Sequence, residues 1–236
     1  MNTLLAILVA VFVLSNIAAF AFGKLNEDRT RRSLPGLQRS TSLQLVIIAT
    51  LIALGRTREN GQQGFAFYVA LGMGVSFGAD LIMAAAGKST RRLIMGMAVF
   101  AIAHGFYLIA MSGEPAQQGP LPIGTFLATL LALLATGLVI WWRWVRVPQG
   151  PAVLNYGALG YMVILSTMTA LAVALALFDG RWWALGLGAV LFLASDAVLG
   201  NQIFRRNRWP YSSDVIWGLY IAGQAGIVLS TLAASR

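Results

Sequence analysis

Two aspartates pose the first chemical question in this chain. Asp80 lies inside the apolar stretch 64–87, and Asp196 lies inside 182–204. The chain has eight acidic residues, and these two alone fall deep inside long hydrophobic runs. An ionisable group near a bilayer centre costs about 2.5–3.5 kcal/mol on insertion scales, which makes it a functional candidate by default. A carboxyl pair can divide acid and base work. It can also relay protons through a membrane, or simply bond helix to helix. A second pattern is Gly74-Val75-Ser76-Phe77-Gly78, which matches G-x-S-x-G. That motif exposes a nucleophile only on a strand-turn-helix elbow, and here it sits within an apolar helix. Two other readings stay open. Ser76 can pair with His104 as an intramembrane nucleophile and base, or Gly74 and Gly78 can form a small-residue packing groove.

The elements that must position these residues are membrane helices. Hydrophobic residues make up 58% of the 236 and charged residues 11%, with a mean hydropathy of +0.74. Soluble domains carry about 25% charged residues. One all-α polytopic membrane domain over 1–236 is therefore expected, with eight transmembrane helices in one bundle. They are placed at 3–23, 38–55, 64–87, 93–112, 121–142, 151–178, 182–204 and 214–233. Each is near the roughly 20 residues that cross about 30 Å of hydrocarbon. The second is the weakest, because only 43–54 is clearly apolar. Ala19-Phe20-Ala21 imitates a signal-peptidase site, but no Lys or Arg precedes the run, so a retained helix is expected.

Basic residues order the loops. Lys24, Arg29, Arg31, Arg32, Arg39, Lys88, Arg91, Arg92, Arg143, Arg146, Arg205, Arg206 and Arg208 fall on one side. Arg56, Arg58, Arg181 and Arg236 fall on the other. The positive-inside rule then puts the basic loops in the cytoplasm and both termini outside. A bacterial plasma membrane is the expected location. The net charge of +9 reads as topology and contact with anionic lipid, with no nucleic-acid partner. The absence of Cys excludes disulfides and thiolate chemistry, and a single His argues against a His-rich metal site. No metal and no cofactor is expected. Trp141, Trp142, Trp144, Trp182 and Trp183 sit at span ends as an interfacial aromatic belt.

Depth follows from helical rise. Counted from Lys88, Arg205, Arg92 and Asp214, the residues Asp80, Asp196, His104 and Gln224 lie about 12, 13, 18 and 15 Å deep. Four polar residues on four spans thus share one slab, and polar groups in lipid must face each other or a wet cavity. Ser76 is one turn before Asp80, Tyr107 is at i+3 from His104, and Tyr220 is at i−4 from Gln224. Each pair shares a helix face. Ser195 adjoins Asp196 in sequence but points about 100° away around the helix. Gly72 to Asp80 and Gly188 to Asp196 both read Gly-x7-Asp, a weak hint of a 4+4 internal repeat.

Four blocks in order carry a resemblance. They are Gly74-Val75-Ser76-Phe77-Gly78-Ala79-Asp80, Ala103-His104-Gly105-Phe106-Tyr107, Gly188 through Phe192 to Ser195-Asp196, and Tyr220 to Gln224. The chain over about 64–236 resembles the YhhN-like lysoplasmalogenase family. It departs at Ala79, where the family has Gly, at Thr41-Ser42, where a Lys-Pro pair is usual, and at Leu219, where a second Tyr is usual. The resemblance implies an ether hydrolase that cuts the vinyl-ether bond of a lysophospholipid, releasing a fatty aldehyde. It implies catalytic roles for Asp80 and Asp196. His104, Tyr107, Tyr220, Gln224 and Ser195 would bind substrate or support the pair, and Arg91, Arg92, Arg205 and Arg206 would meet the phosphate. A proton-coupled transporter using Asp80 and Asp196 as a relay is the alternative, as is the Ser76–His104 hydrolase.

Overall fold

The computed structural model describes residues 2–59, 64–85, 87, 89–113 and 123–232. Eight long helices account for most of them. They are α1 (Asn2–Ala21), α2 (Pro35–Glu59), α3 (Gly64–Ala84), α4 (Thr90–Ser112), α5 (Ile123–Ile140), α6 (Ala152–Phe178), α7 (Trp183–Phe204) and α8 (Ser212–Ser230). No strand occurs among the described residues. The fold is an all-α membrane bundle of eight helices, as the hydrophobic pattern requires.

Seven helices are long and apolar enough to cross a membrane by length and composition. The other is α8, where Asp214 and Gln224 interrupt the apolar run. It is placed in the bundle by its neighbours, packing on α7, α2 and α3. Helix α2 is longer than its apolar stretch suggested. Its first turns carry Thr41 and Ser42, which are fully buried against other helices and therefore need no apolar side chain. Helix α5 continues through a π-helical turn, Trp141–Val145, closed by Arg146 N–H donating to the Trp141 carbonyl at 2.7 Å. Asn155 clamps that turn, accepting from Val147 N–H at 2.9 Å and donating to the Val147 carbonyl at 2.8 Å.

Helices adjacent in sequence pack together, apart from α4 and α5. Two seams cross the chain order: α4 packs on α6, and α8 packs on α2 and α3. The core lies between α2, α3, α4, α6, α7 and α8, around Phe65, Met73, Tyr107, Met168, Leu185 and Phe192. Helices α1 and α5 are peripheral, with 11% and 6% of their most apolar windows buried. Gly-x7-Asp is the one sequence sign of a repeat, and it has a packing role in both places. A Cβ at Gly72 would stand 2.4 Å from the Tyr107 ring on α4. One at Gly188 would stand 2.7 Å from the Gly223 carbonyl on α8. Each glycine thins the seam to the next helix, two turns from its aspartate.

By contrast Gly74 and Gly78 would meet nothing within 4 Å. The expected packing groove is not formed within the chain, because both glycines point to the open side of α3. This contrast predicts a result. Gly188→Ala pushes against backbone that cannot rotate away, and overpacking of this kind costs about 1–3 kcal/mol. The thermal midpoint of the detergent-solubilised protein should fall by several degrees in Gly188→Ala and stay unchanged in Gly74→Ala.

The basic loops gather at one end of the bundle. Arg29 O accepts from Tyr211 N–H at 3.0 Å, and Thr30 O accepts from Ser213 N–H at 2.9 Å. Asp214, in the first turn of α8, accepts from Arg32 N–H at 2.6 Å, from Ser33 N–H at 3.0 Å and from the Ser33 hydroxyl. These bonds fasten the α1–α2 connection to the start of α8. At the same end, Arg92 donates to the Ala85 carbonyl at 2.7 Å, and Arg205 donates to the Arg143 carbonyl at 3.3 Å.

Candidate functional site

Helices α3 and α7 run unbroken through Asp80 and Asp196. The discontinuous helices that mark many transporter sites are absent at these positions. Each aspartate is instead held by hydroxyl groups from neighbouring helices. Among the described residues, the ion pairs are Arg181–Asp179 and Arg208–Asp28, both outside the bundle interior. No Lys or Arg therefore neutralises either intramembrane carboxylate there.

Asp80 Oδ2 accepts from Ser42 Oγ on α2 at 2.6 Å and from the Tyr220 hydroxyl on α8 at 2.8 Å. Gln224 lies one turn further along α8. Its Nε2 donates weakly to the Tyr220 oxygen at 3.4 Å, and its Oε1 accepts from the Tyr107 hydroxyl on α4 at 2.7 Å. One chain of bonds thus runs Tyr107, Gln224, Tyr220, Asp80, with Ser42 closing the other side. Gly72 supplies the room for the Tyr107 ring.

Asp196 accepts from the Tyr161 hydroxyl on α6. The same phenol oxygen lies 3.0 Å from His104 Nε2 on α4. With the phenol proton given to the carboxylate, the remaining role of that oxygen is acceptor, so Nε2 carries the imidazole proton. His104 Nδ1 is buried without a hydrogen-bond partner among the described residues. Phe192 separates the two chains of bonds. Its ring meets His104 edge-on at 4.9 Å and Tyr220 at 5.2 Å between centroids.

The slab inferred from helical rise therefore corresponds to a real constellation. Asp80, Tyr107, Tyr220 and Gln224 share one network, and Asp196 and His104 share a second beside it. Two partners were not read from the sequence, Tyr161 and Ser42. Ser195 does not join either network. It donates to the Ile216 carbonyl on α8 at 2.9 Å and so ties α7 to α8, as its 100° offset from Asp196 requires. Ser76 and His104 form no pair. Nε2 of the histidine is taken by Tyr161, and the buried Ser76 hydroxyl lies near Tyr107 outside hydrogen-bond geometry. Arg91, Arg92, Arg205 and Arg206 are exposed at the basic end. Arg92 and Arg205 there cap backbone carbonyls, a common role for basic side chains at helix ends.

A cavity leads to the second aspartate. It lies between α4, α5, α6 and α7. Asp196 and Tyr161 form part of a wall that is otherwise largely apolar, and Trp141 and Phe204 stand toward the basic end. Asp80 does not line it.

Comparison with curated proteins gave no match, and comparison with solved structures gave none. A family model described as the YhhN family matches residues 37–231. The match extends further toward the N-terminus than the motif blocks indicated, taking in most of α2 with Ser42, and it leaves α1 outside. With all eight network residues inside it, the chain belongs to the YhhN family.

Proposed function

We propose that this protein is a membrane-embedded hydrolase that cleaves the vinyl-ether bond of a lysophospholipid by paired-carboxylate acid/base catalysis. The observation that supports it best is the pair itself. Two carboxylates lie at matching depth, each held by uncharged hydroxyl donors, and one of them forms the wall of an apolar cavity. Membership of the YhhN family is consistent with such an activity.

The chemistry needs one proton donor and one proton acceptor. Asp196, facing the cavity, delivers a proton to the β-carbon of the R–CH=CH–O–R′ group. The π electrons form the new C–H bond and leave an oxocarbenium ion, R–CH₂–CH=O⁺–R′. Asp80, behind the cavity wall, supplies negative charge that stabilises this cation, and Asp196, now ionised, accepts the proton that the attacking water releases and so regains the one it gave. The hemiacetal collapses to R–CH₂–CHO and R′–OH, so one water is consumed per bond cut. Tyr161 donates to Asp196 and accepts from His104, so it holds the carboxyl in place as its charge changes. Tyr220 and Gln224 fix the orientation of Asp80. The exposed Arg91, Arg92, Arg205 and Arg206 face the phosphate of the headgroup, with the basic end toward the cytoplasm.

Purified protein incubated with a mixed pool of lysolipids tests this. Vinyl-ether species should be consumed and fatty aldehyde released, while acyl and saturated alkyl-ether species persist. In D₂O the aldehyde should carry one deuterium at carbon 2, the mark of carbon protonation. A pool left unchanged under these conditions would refute the proposal.

A further inference from the structure

The cavity beside Asp196 has two features that a proton-transfer site alone does not need. Its lining is largely apolar well beyond the carboxyl, including Met97 on α4, Gly137 on α5, and Met162 and Leu165 on α6. It also lies where two neighbouring helices fail to close. Helix α5 packs on α6, and it makes no comparable seam with α4, although both helices line the cavity. The outer face of α5 is exposed at Leu127, Leu131 and Leu138, as suits a helix against lipid.

From this geometry we infer that the cavity is the binding site for a single alkyl chain, entered sideways from the bilayer between α4 and α5. The headgroup stays at the basic end, near Trp141 and Phe204, and the chain passes Asp196 on its way to Gly137 and Leu165. The order of groups along such a lipid fits the order along the wall. Asp196 lies eight residues inside Phe204, about 12 Å at helical rise. That depth is the region just below a glycerophosphate, where the first carbons of the chain begin. Methionines suit the role, because their flexible thioethers adapt to a mobile chain. Gly137 is placed to set the length of the slot. A Cβ there would stand 2.5 Å from the Met162 sulfur, so any larger residue would push Met162 into the cavity. The site deepens the hydrolase reading, on which it depends for the bond that is cut but not for where the chain lies.

The test uses a saturated 1-O-alkyl lysophospholipid, which lacks the cleavable double bond, with a diazirine at mid-chain. Photolysis of the full-length protein in nanodiscs, followed by peptide mapping, should place adducts on Met97, Met162 and Leu165. Excess unlabelled single-chain lipid should suppress them at least tenfold. Leu165→Trp, which fills the slot, should lose these adducts and shift the preferred chain length downward. Adducts confined to outer positions such as Leu131 of α5 or Ile102 of α4 would overturn the inference, and so would labelling that competitor leaves unchanged. The wild-type map stands even if Leu165→Trp fails to fold. Inside adducts without aldehyde release would leave the chain site in place and refute the hydrolase. Aldehyde release with outside adducts alone would do the reverse.

Discussion

Asp196→Asn is expected to lower aldehyde release from a lysoplasmalogen by about 10²–10⁴-fold, the range that positioned general acids and bases contribute. An amide cannot protonate carbon, so the loss should appear in kcat. Affinity for a saturated alkyl analogue should change little, since the apolar wall remains. The fold should survive as well. Asn keeps an oxygen that can accept from the Tyr161 hydroxyl, so the Tyr161–His104 chain of bonds retains its partner. Gel filtration and thermal midpoint close to wild type, with turnover gone, would place the defect in the chemistry. Near wild-type turnover would remove Asp196 from the mechanism.

Asp80→Asn is expected to be nearly as damaging, by about 10²-fold or more in kcat, for a different reason. Asp80 does not line the cavity, so its part is to stabilise the developing cation by its charge. In the wild type one oxygen of Asp80 receives both the Ser42 and the Tyr220 hydroxyls. An Asn oxygen can receive the same two donors, so assembly is again preserved while the negative charge is lost. Equal activity of Asp80→Asn and wild type would confine Asp80 to a structural role.

The bundle was largely legible in the sequence because a bilayer leaves few choices. Long apolar runs separated by basic loops must be helices, and their ends lie within about four residues of expectation, the largest difference being at the end of α2. Depth was legible too, since a fixed rise per residue converts sequence distance into Å. That arithmetic puts Asp80, Asp196, His104 and Gln224 in one slab from sequence distance alone. Tyr161 and Ser42 escaped because their residue types are not costly in a membrane helix. A tyrosine is an ordinary aromatic there, and a serine can return its hydroxyl to its own backbone. Tyr161 is ten residues past Pro151, about 15 Å by the same arithmetic, so the signal was present without a charge to draw attention to it. The glycines show the other limit. Gly72, Gly74, Gly78 and Gly188 look alike in sequence, and only the packing shows that Gly72 and Gly188 face seams while Gly74 and Gly78 face outward.

The hydroxyl donors around the two aspartates come from opposite ends of the chain. Asp80 on α3 is held by Ser42 from α2 and by Tyr220 from α8. Asp196 on α7 is held by Tyr161 from α6, itself bonded to His104 from α4. The first four helices therefore own one carboxylate and the imidazole that completes the other's network. The last four own the second carboxylate and the phenol that completes the first's. During synthesis the Asp196 cluster can close once α7 has entered the membrane, whereas the Asp80 cluster waits for α8. The emerging protein must carry Asp80 half-partnered, with Ser42 alone, until the last helix arrives, so completion of the site is the last event in assembly of the fold.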